Sequence, residues 1–189
     1  MKPLKAILLF AGVCAVSPLL ITHSHSNDSV NIPYQINAFD FIKHRLPHSE
    51  NYQTQWNRMT GFEHSGLHWE LFVVVYTDIG EDVYKHNFLQ YSTWFDDPED
   101  EDNQPNYKTY PIGTTFIKEN YSMKNGKPDK AQWLTIMIKR EQDFNPEGGN
   151  WEYMQFNVNG EAMINGSSID NQVSSQCAQC HENVAERDY

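Results

Sequence analysis

The sequence predicts an α+β fold, in which helices flank an antiparallel β-sheet. The run from Leu71 to Tyr76 is continuous, apolar and rich in valine, as expected for a buried strand. After residue 113 apolar and polar residues alternate, and Asn125-Gly126 and Asn159-Gly160 mark tight turns. Consecutive strands joined by such turns form a sheet whose strands come in sequence.

The other elements follow from the same patterns of spacing. We expect short helices over residues 38–46, ending before Pro47, and over 50–59, with Trp56 on the buried side. A longer helix is expected over 78–91, where apolar residues recur at helical spacing. Further strands are expected over 113–121, 132–139 and 151–158, followed by a hairpin into 161–164. The chain from about residue 169 should form a helix or turn.

The first strand after residue 113 carries two pairs of residues with opposite orientations. Phe116 and Lys118 should share one face, and Ile117 and Glu119 the other.

Upstream, six of the seven residues at 96–102 are acidic. A solvated loop explains that run better than a calcium site, because it lacks the alternating ligands and the glycine of an EF-hand loop.

Cys177-Ala178-Gln179-Cys180-His181 is the most informative motif. Cys-x-x-Cys-His attaches one haem c covalently: the two thiols bond the vinyl groups and the adjacent imidazole binds the iron. Cys177 and Cys180 are thus the cofactor-binding residues, and His181 is the proximal iron ligand. Half of a zinc site, a redox dithiol and a disulfide are alternatives. Zinc would need further Cys or His ligands at finger-like spacing, and the sequence shows none. A thioredoxin-like dithiol would be expected near a βαβ pattern, which the sequence also lacks.

The N-terminus has the pattern of a secretory signal peptide. Lys2 and Lys5 precede the apolar run from Ala6 to Val16, and a polar stretch follows. We expect a signal within residues 1–26, a single domain over 27–189 and a periplasmic location, which suits covalent haem attachment. An uncleaved anchor is the alternative, but the apolar stretch is short for one. If Cys14 leaves with the signal, haem uses both remaining cysteines.

The formal net charge of −11 limits the classes of partner. Loss of the signal would remove two lysines and no acid, so the mature chain is more negative still. Such a surface disfavours nucleic acid and anionic membranes, and it favours a basic partner such as an electron-acceptor cytochrome.

The late position of the motif argues against a small electron-carrier cytochrome, because only eight residues follow His181 and none is methionine. A sixth iron ligand would have to come from upstream. The candidates are Met123, Met137, Met154, Met163, His44, His48, His64, His68 and His86. His64 and His68 flank Gly66, so we expect surface histidines there. Without a sixth ligand the iron is open to small molecules.

Three stretches together resemble one known family. The segment from Tyr110 to Glu119 is similar to the strand of cytochrome P460 and its relative cytochrome c′-beta that reads Pro-x-Gly-Thr, then Val-Lys-Glu. Gly149-Asn150-Trp151 is similar to the Gly-Asn-Trp strand of that family, and the haem motif has the same late placement. The resemblance covers about residues 55–185.

The resemblance implies a sheet with flanking helices, a homodimer and a five-coordinate haem c. In cytochrome P460 the lysine of the Val-Lys-Glu strand is bonded to the porphyrin edge, and the enzyme oxidises hydroxylamine. In cytochrome c′-beta that bond is absent, and the protein binds nitric oxide. Lys118 stands at the lysine position here, so it is the candidate cross-link. Phe116 and Thr135 are the candidate residues of the distal pocket.

The chain departs from the family pattern at two positions. Hydroxylamine-oxidising members carry a carboxylate on the strand that corresponds to 132–139, where this chain has no acid and Thr135 lies near the expected place. A hydroxyl is a poor base at neutral pH. Ile112 also replaces an aspartate. Three functions therefore stay open: oxidation of hydroxylamine or a similar small nitrogen compound, binding of nitric oxide without turnover, and simple electron transfer.

Overall fold

The computed structural model describes Phe39, Ile42, Leu46 and residues 48–68 and 70–189. These residues belong to one compact unit, residues 32–189. The predicted signal peptide, residues 1–26, lies outside the described residues, and so does most of the helix predicted over 38–46. In the described part of the chain, every helix is too short or too polar to span a membrane.

Seven strands, two helices and a C-terminal helical segment make up the described fold. The strands are β1 (Asn57–Arg58), β2 (Glu63–Ser65), β3 (Leu71–Thr77), β4 (Thr115–Lys124), β5 (Lys127–Lys139), β6 (Trp151–Asn157) and β7 (Ala162–Gly166). The helices are α1 (Tyr52–Gln55) and α2 (Glu81–Asp96). Short 3₁₀ turns lie at Gly66–His68, Glu101–Asn103 and Pro146–Gly148, and the C-terminal helical segment covers residues 171–187.

All the strand pairs in the sheet are antiparallel. The order is β1-β3-β4-β5-β6-β7, and β2 pairs with the other end of β3. From β3 onward the strands neighbour one another in sequence order. The predicted α+β fold with a sequential antiparallel sheet is therefore confirmed.

The predicted hairpin turns are also confirmed. Asn125 and Gly126 both have positive φ, 54° and 72°, and they connect β4 directly to β5. A two-residue turn of this kind needs left-handed backbone at both positions, which asparagine and glycine tolerate best. At the β6–β7 turn Gly160 has a φ of 80°. The pairing of β6 with β7 has a register shift between Gln155 and Phe156.

Two helix boundaries differ from the sequence predictions. The helix predicted over 50–59 is wrong in its second half, because β1 pairs there with Thr77 and Tyr76 of β3. Backbone pairing with a long strand overrides local helix preference. The longer helix is confirmed but begins at Glu81 instead of Asp78. Asp78 accepts hydrogen bonds on Oδ1 from the backbone N–H groups of Ile79, at 2.6 Å, and Thr115, at 2.9 Å.

The acidic run at 96–102 is exposed along its whole length, as the solvated-loop interpretation predicts. It begins at the last residue of α2 and runs into the Glu101–Asn103 turn. Asp100 caps that turn by accepting a hydrogen bond from the backbone N–H of Asp102 at 2.9 Å.

The two faces of the central sheet are packed to different degrees. One face is buried in a core that includes Val74, Ile117, Leu134 and Ile136, each at most 1% exposed. Phe39, Ile42 and Tyr52 cover this face from the N-terminal side. The other face meets a second cluster, whose buried members are Tyr110, Trp151, Tyr153, Ile164, Val173 and Ala178. The C-terminal helical segment supplies the last two.

A buried carboxylate lies inside the first core. Glu119 is only 2% exposed. It accepts hydrogen bonds from the hydroxyls of Tyr52 and Tyr121, the latter at 2.6 Å, and from Nε2 of Gln53 at 2.5 Å. Burial raises its pKa, and these hydrogen bonds act in the opposite direction. Through this carboxylate, α1 is fastened to β4.

Removal of this carboxylate should destabilise the fold. Glu119→Ala leaves three donors without their acceptor inside the core, so we expect the free energy of unfolding to fall by about 3 kcal/mol. Urea denaturation of the holo-protein measures the change. Glu63→Ala, an exposed position on β2, is the control and should change stability by less than about 0.5 kcal/mol. Equal losses in the two variants would contradict a special role for Glu119.

Candidate functional site

The Cys-x-x-Cys-His motif lies in the C-terminal helical segment. Ser174–Ala178 forms a π-helical turn and Gln179–His181 continues as α-helix, so the motif spans the junction of the two. The two cysteines form no disulfide with each other; Cys177 is half-buried against the second cluster, and Cys180 is exposed. Burial raises the pKa of the Cys177 thiol. The prediction of a helical motif near the C-terminus is confirmed.

The sheet face on the side of the second cluster is only half-covered. Its residues come from neighbouring strands in register: Val75, Lys118 and Thr135 lie side by side, and so do Phe116 and Met137. All five are half-buried, whereas the residues between them on the opposite face are fully buried. These five residues combine aliphatic, aromatic and thioether groups with one amine and one hydroxyl.

Lys118 is the charged residue of this face, and it interacts with the haem motif. Desolvation lowers the pKa of its amine to about 8, and the charges of Cys177 and Cys180 act in the opposite direction. Among the described residues, no side chain forms a hydrogen bond or ion pair with this amine. The thiols of Cys177 and Cys180 therefore act electrostatically on this amine, and Cys177 packs against the same cluster as Phe116, which shares the face of Lys118. Thr135 is its partner on β5.

Phe116 lies one residue pair further along the same face. Its ring packs edge-on against Tyr110, with centroids 5.3 Å apart, and lies 6.1 Å from the ring of Trp151. It therefore belongs to the aromatic group beneath the C-terminal segment. The distal-pocket roles of Phe116 and Thr135 stay predictions.

His181 lies against the same side of the sheet. Desolvation lowers the pKa of its imidazole to about 4, and the positive charges of Lys118 and His68 contribute. The ring is consequently neutral near pH 7, which is the form that binds a metal ion. The ring of Tyr153 packs edge-on against it at a centroid distance of 5.6 Å.

His68 is a correction to the sequence analysis, which predicted surface histidines at both His64 and His68. His64 is exposed, as predicted, but His68 is half-buried. Desolvation, with the charge of Lys118 as a second cause, lowers the pKa of His68 to about 4. His68 is the last residue of the 3₁₀ turn at Gly66–His68, and its charge contributes to the lowered pKa of His181. Gly66 was correctly interpreted as unfavourable for a longer helix, but the sequence does not reveal where the turn points.

The remaining candidates for a sixth ligand are widely scattered. Met137 shares the face of Lys118, and Met154 is buried in the opposite core. Met123 and Met163 are exposed. Of the other candidate histidines, His44 lies outside the described residues, and His48, His64 and His86 do not contribute to the pKa shifts of Lys118 or His181.

The polar groups around this face fit haem. The buried hydroxyl of Tyr153 and the Oδ1 atom of Asn120 have no hydrogen-bond partner among the described residues. Both residues are on the face of Lys118. The Cys177 thiol, the neutral imidazole of His181, and an amine and a hydroxyl that have no partner in the described part of the chain thus lie at a half-covered apolar surface. Haem brings a flat apolar ring, an iron and carboxylates to such a surface. In the described part of the chain, His, Cys, Asp and Glu form no group of three that could hold a bare metal ion such as zinc.

The end of the chain fastens the motif to the sheet. Lys139 on β5 and Asp188 form an ion pair whose side chains are 7% and 12% exposed. The Lys139 amine also donates to the carbonyl of Gly149 at 2.7 Å. Asp188 accepts from the backbone N–H of Tyr110 at 2.7 Å, and its carbonyl accepts from Nε1 of Trp151 at 3.0 Å. We call Lys139 and Asp188 the C-terminal latch.

A second contact joins α2 to the same segment. Asn87, the buried residue of α2, donates from Nδ2 to the carbonyls of Lys108 and Arg187 at 2.8 Å and 3.0 Å. The Arg187 guanidinium stacks 4.1 Å over the ring of Tyr91. The haem motif is therefore held between the sheet and α2.

The comparison with known families agrees with this geometry. The sequence model of the family described as Cytochrome P460 matches residues 72–189. The match begins in β3 and includes Lys118, Thr135 and the whole haem motif. A search of curated proteins found no match.

Loss of the C-terminal latch should loosen the haem-bearing segment. Asp188→Ala leaves the buried Lys139 amine without its counter-charge, so we expect the free energy of unfolding to fall by about 3 kcal/mol. Urea denaturation measures this loss, and amide hydrogen exchange should increase within residues 171–187. Glu186→Ala removes an exposed carboxylate of the same segment and should leave both unchanged. Unaltered exchange in Asp188→Ala would show that the latch does not hold the segment.

Proposed function

The chain belongs to the cytochrome P460 family, and from this premise we propose that it is an exported, mono-haem c cytochrome that oxidises hydroxylamine or a similar small nitrogen compound at an open iron. The observation that best supports this proposal is the position of Lys118. Its amine has no hydrogen-bond partner among the described residues and lies on the half-covered sheet face, and the charges of both cysteines of the haem motif act on its pKa. The lowered pKa makes the neutral, nucleophilic form of this amine more accessible.

Each residue has a distinct task in this proposal. Cys177 and Cys180 hold the haem through thioethers, and His181 binds the iron as a neutral imidazole. Haem bound there supplies a redox-active iron with one open position. Lys118 would be bonded to the porphyrin edge, its nitrogen replacing one ring hydrogen in a two-electron oxidation that releases two protons and needs an oxidant of the peroxide class. Phe116 and Thr135 form part of the surface that the small ligand meets.

The proposed reaction releases electrons and protons, and each needs an acceptor. Hydroxylamine oxidation releases one proton for each electron. The electrons pass to an acceptor protein, and the net charge of −11 favours a basic cytochrome in that role. Export to the periplasm by the N-terminal signal is part of the proposal.

A homodimer is also part of the proposal. The helix α2 exposes the rings of Tyr84, Phe88 and Phe95, which are 41%, 54% and 65% exposed. An apolar face of this kind is typical of a surface that another chain covers.

Binding of nitric oxide without turnover is the second candidate, and one observation favours it. No carboxylate contributes to the pKa shifts of Lys118, His68 or His181. The strand β5 offers Thr135 and Met137 on this face instead. A site without a proton acceptor would bind nitric oxide but would not take protons from hydroxylamine, so no turnover would follow.

The state of Lys118 can be read by mass spectrometry. In a tryptic digest of the holo-protein, we expect the peptide that contains Lys118 to be joined through haem to the peptide of the Cys-x-x-Cys-His motif. Lys118→Arg is the matched control, and its haem should be found on the motif peptide alone, with an ordinary haem c spectrum. An unlinked wild-type Lys118 peptide would contradict the cross-link and favour the nitric oxide alternative.

Turnover separates the two functions directly. The oxidised protein should reduce a dye acceptor continuously when hydroxylamine is supplied, and Lys118→Arg should lose most of that rate. Nitric oxide binding to the reduced protein is followed optically in parallel. Tight binding of nitric oxide with no acceptor reduction would establish the binding protein in place of the enzyme.

A further inference from the structure

The hydroxyl of Tyr153 is a buried polar atom without a partner, close to the haem motif. Tyr153 is 2% exposed, and its hydroxyl has no hydrogen-bond partner in the described part of the chain. The residue belongs to the second cluster, against which Cys177 also packs. By contrast, Trp151 in the same cluster donates from Nε1 to the carbonyl of Asp188 at 3.0 Å. A buried hydroxyl without a hydrogen bond is unfavourable, so it indicates a partner that the holo-protein supplies.

The imidazole of His181 packs directly against the ring of Tyr153. The two ring centroids are 5.6 Å apart and the ring planes are inclined by 63°. Aromatic rings at this separation are in contact. Within the part of the chain that the structure describes, no hydrogen bond is made by the His181 ring. The second side-chain torsion of histidine is broad, so a rotation of the imidazole can turn a ring nitrogen towards the phenol at little cost.

Iron binding determines what the His181 ring offers to this hydroxyl. An imidazole that binds a metal through one nitrogen carries a proton on the other, and that N–H group needs an acceptor. The acceptor orients the ring and makes it a stronger electron donor to the metal. Of the buried acceptors that lack a partner in the described chain, the hydroxyl of Tyr153 is the one whose own ring packs against His181.

We propose that the Tyr153 hydroxyl accepts a hydrogen bond from the non-ligating N–H group of His181 in the holo-protein and thereby tunes the iron. Tyr153 is thus a positioning residue, which fixes the orientation of the imidazole and raises its basicity. A stronger donor favours the oxidised iron, so the hydrogen bond lowers the reduction potential. The inference rests on one part of the proposed function, the binding of haem iron by His181, and it is the same for hydroxylamine and for nitric oxide.

Resonance Raman spectroscopy of the reduced holo-protein measures the bond between iron and His181. Tyr153→Phe keeps the ring and removes only the oxygen, so we expect the iron–imidazole stretching frequency to fall below that of the wild type. The reduction potential of the same variant, measured by redox titration, should rise. A hydroxyl that served packing alone would change neither quantity in a folded, loaded protein.

Tyr110→Phe is the matched control. Tyr110 is a buried tyrosine of the same cluster, but its ring packs against Phe116 at 5.3 Å and Trp151 at 5.7 Å. This variant should keep the wild-type frequency and potential. Circular dichroism and haem content check folding and loading. If Tyr153→Phe fails either check, 3-fluorotyrosine at position 153 takes its place, because its oxygen is a weaker acceptor and should shift both quantities partly in the same directions.

The outcomes separate this inference from the proposed function. A lower frequency and a higher potential in Tyr153→Phe alone support the inference, even if the wild type oxidises no hydroxylamine and the enzyme proposal fails. Wild-type values in Tyr153→Phe overturn the inference while turnover by the wild type persists. Equal shifts in Tyr153→Phe and Tyr110→Phe also overturn it, since the effect then belongs to the whole cluster. A six-coordinate reduced wild type contradicts the open iron, and the inference then stands or falls with the difference in potential between the two variants.

Discussion

The register of β4 decides which environment each of two adjacent charged residues enters. Glu119 is on the fully buried face, where Tyr52, Gln53 and Tyr121 donate to it. Lys118 is on the opposite face, where the charges of the two cysteines act on its pKa. Because side chains alternate along a strand, a slip of one residue would bury the amine and release the carboxylate. The hydrogen bonds to Glu119 thus specify the register that presents Lys118 to the haem motif.

The C-terminal latch imposes the complementary constraint on the motif itself. The helical segment is short and changes between π, α and 3₁₀ geometry, so its own hydrogen bonds give it little rigidity. Asp188 compensates by binding Lys139 on β5 and the backbone of Tyr110. The same strand, β5, carries Thr135 opposite Lys118. The strand β5 therefore carries both Thr135, on the face of Lys118, and Lys139, which holds the C-terminal segment through Asp188.

Local patterns were sufficient for much of this fold and site. Alternation along β4 placed Phe116 and Lys118 on one face, and Asn125-Gly126 located the β4–β5 hairpin. Two register shifts between Asn120 and Met123 separate this turn from the pair of Lys118 and Thr135, and no local pattern signals them. The Cys-x-x-Cys-His motif was sufficient to predict Cys177, Cys180 and His181 as the haem-binding residues. Contacts between distant segments had no such signal: Glu119 meets Gln53, 66 positions away, and Lys139 meets Asp188, 49 positions away. The position of His68 depends on the direction of a turn, and a single sequence does not encode that direction in its spacing.

The charges of the pocket bear on its choice of ligand. Lys118 disfavours positive charge on His68 and on His181, and the causes of these pKa shifts include no carboxylate. A site of this kind disfavours a cationic ligand, but charge does not distinguish hydroxylamine from nitric oxide, since both are uncharged near neutral pH. Charge therefore does not separate an enzyme from a gas-binding protein. A proton acceptor beside the ligand would, because only oxidation removes protons from the ligand.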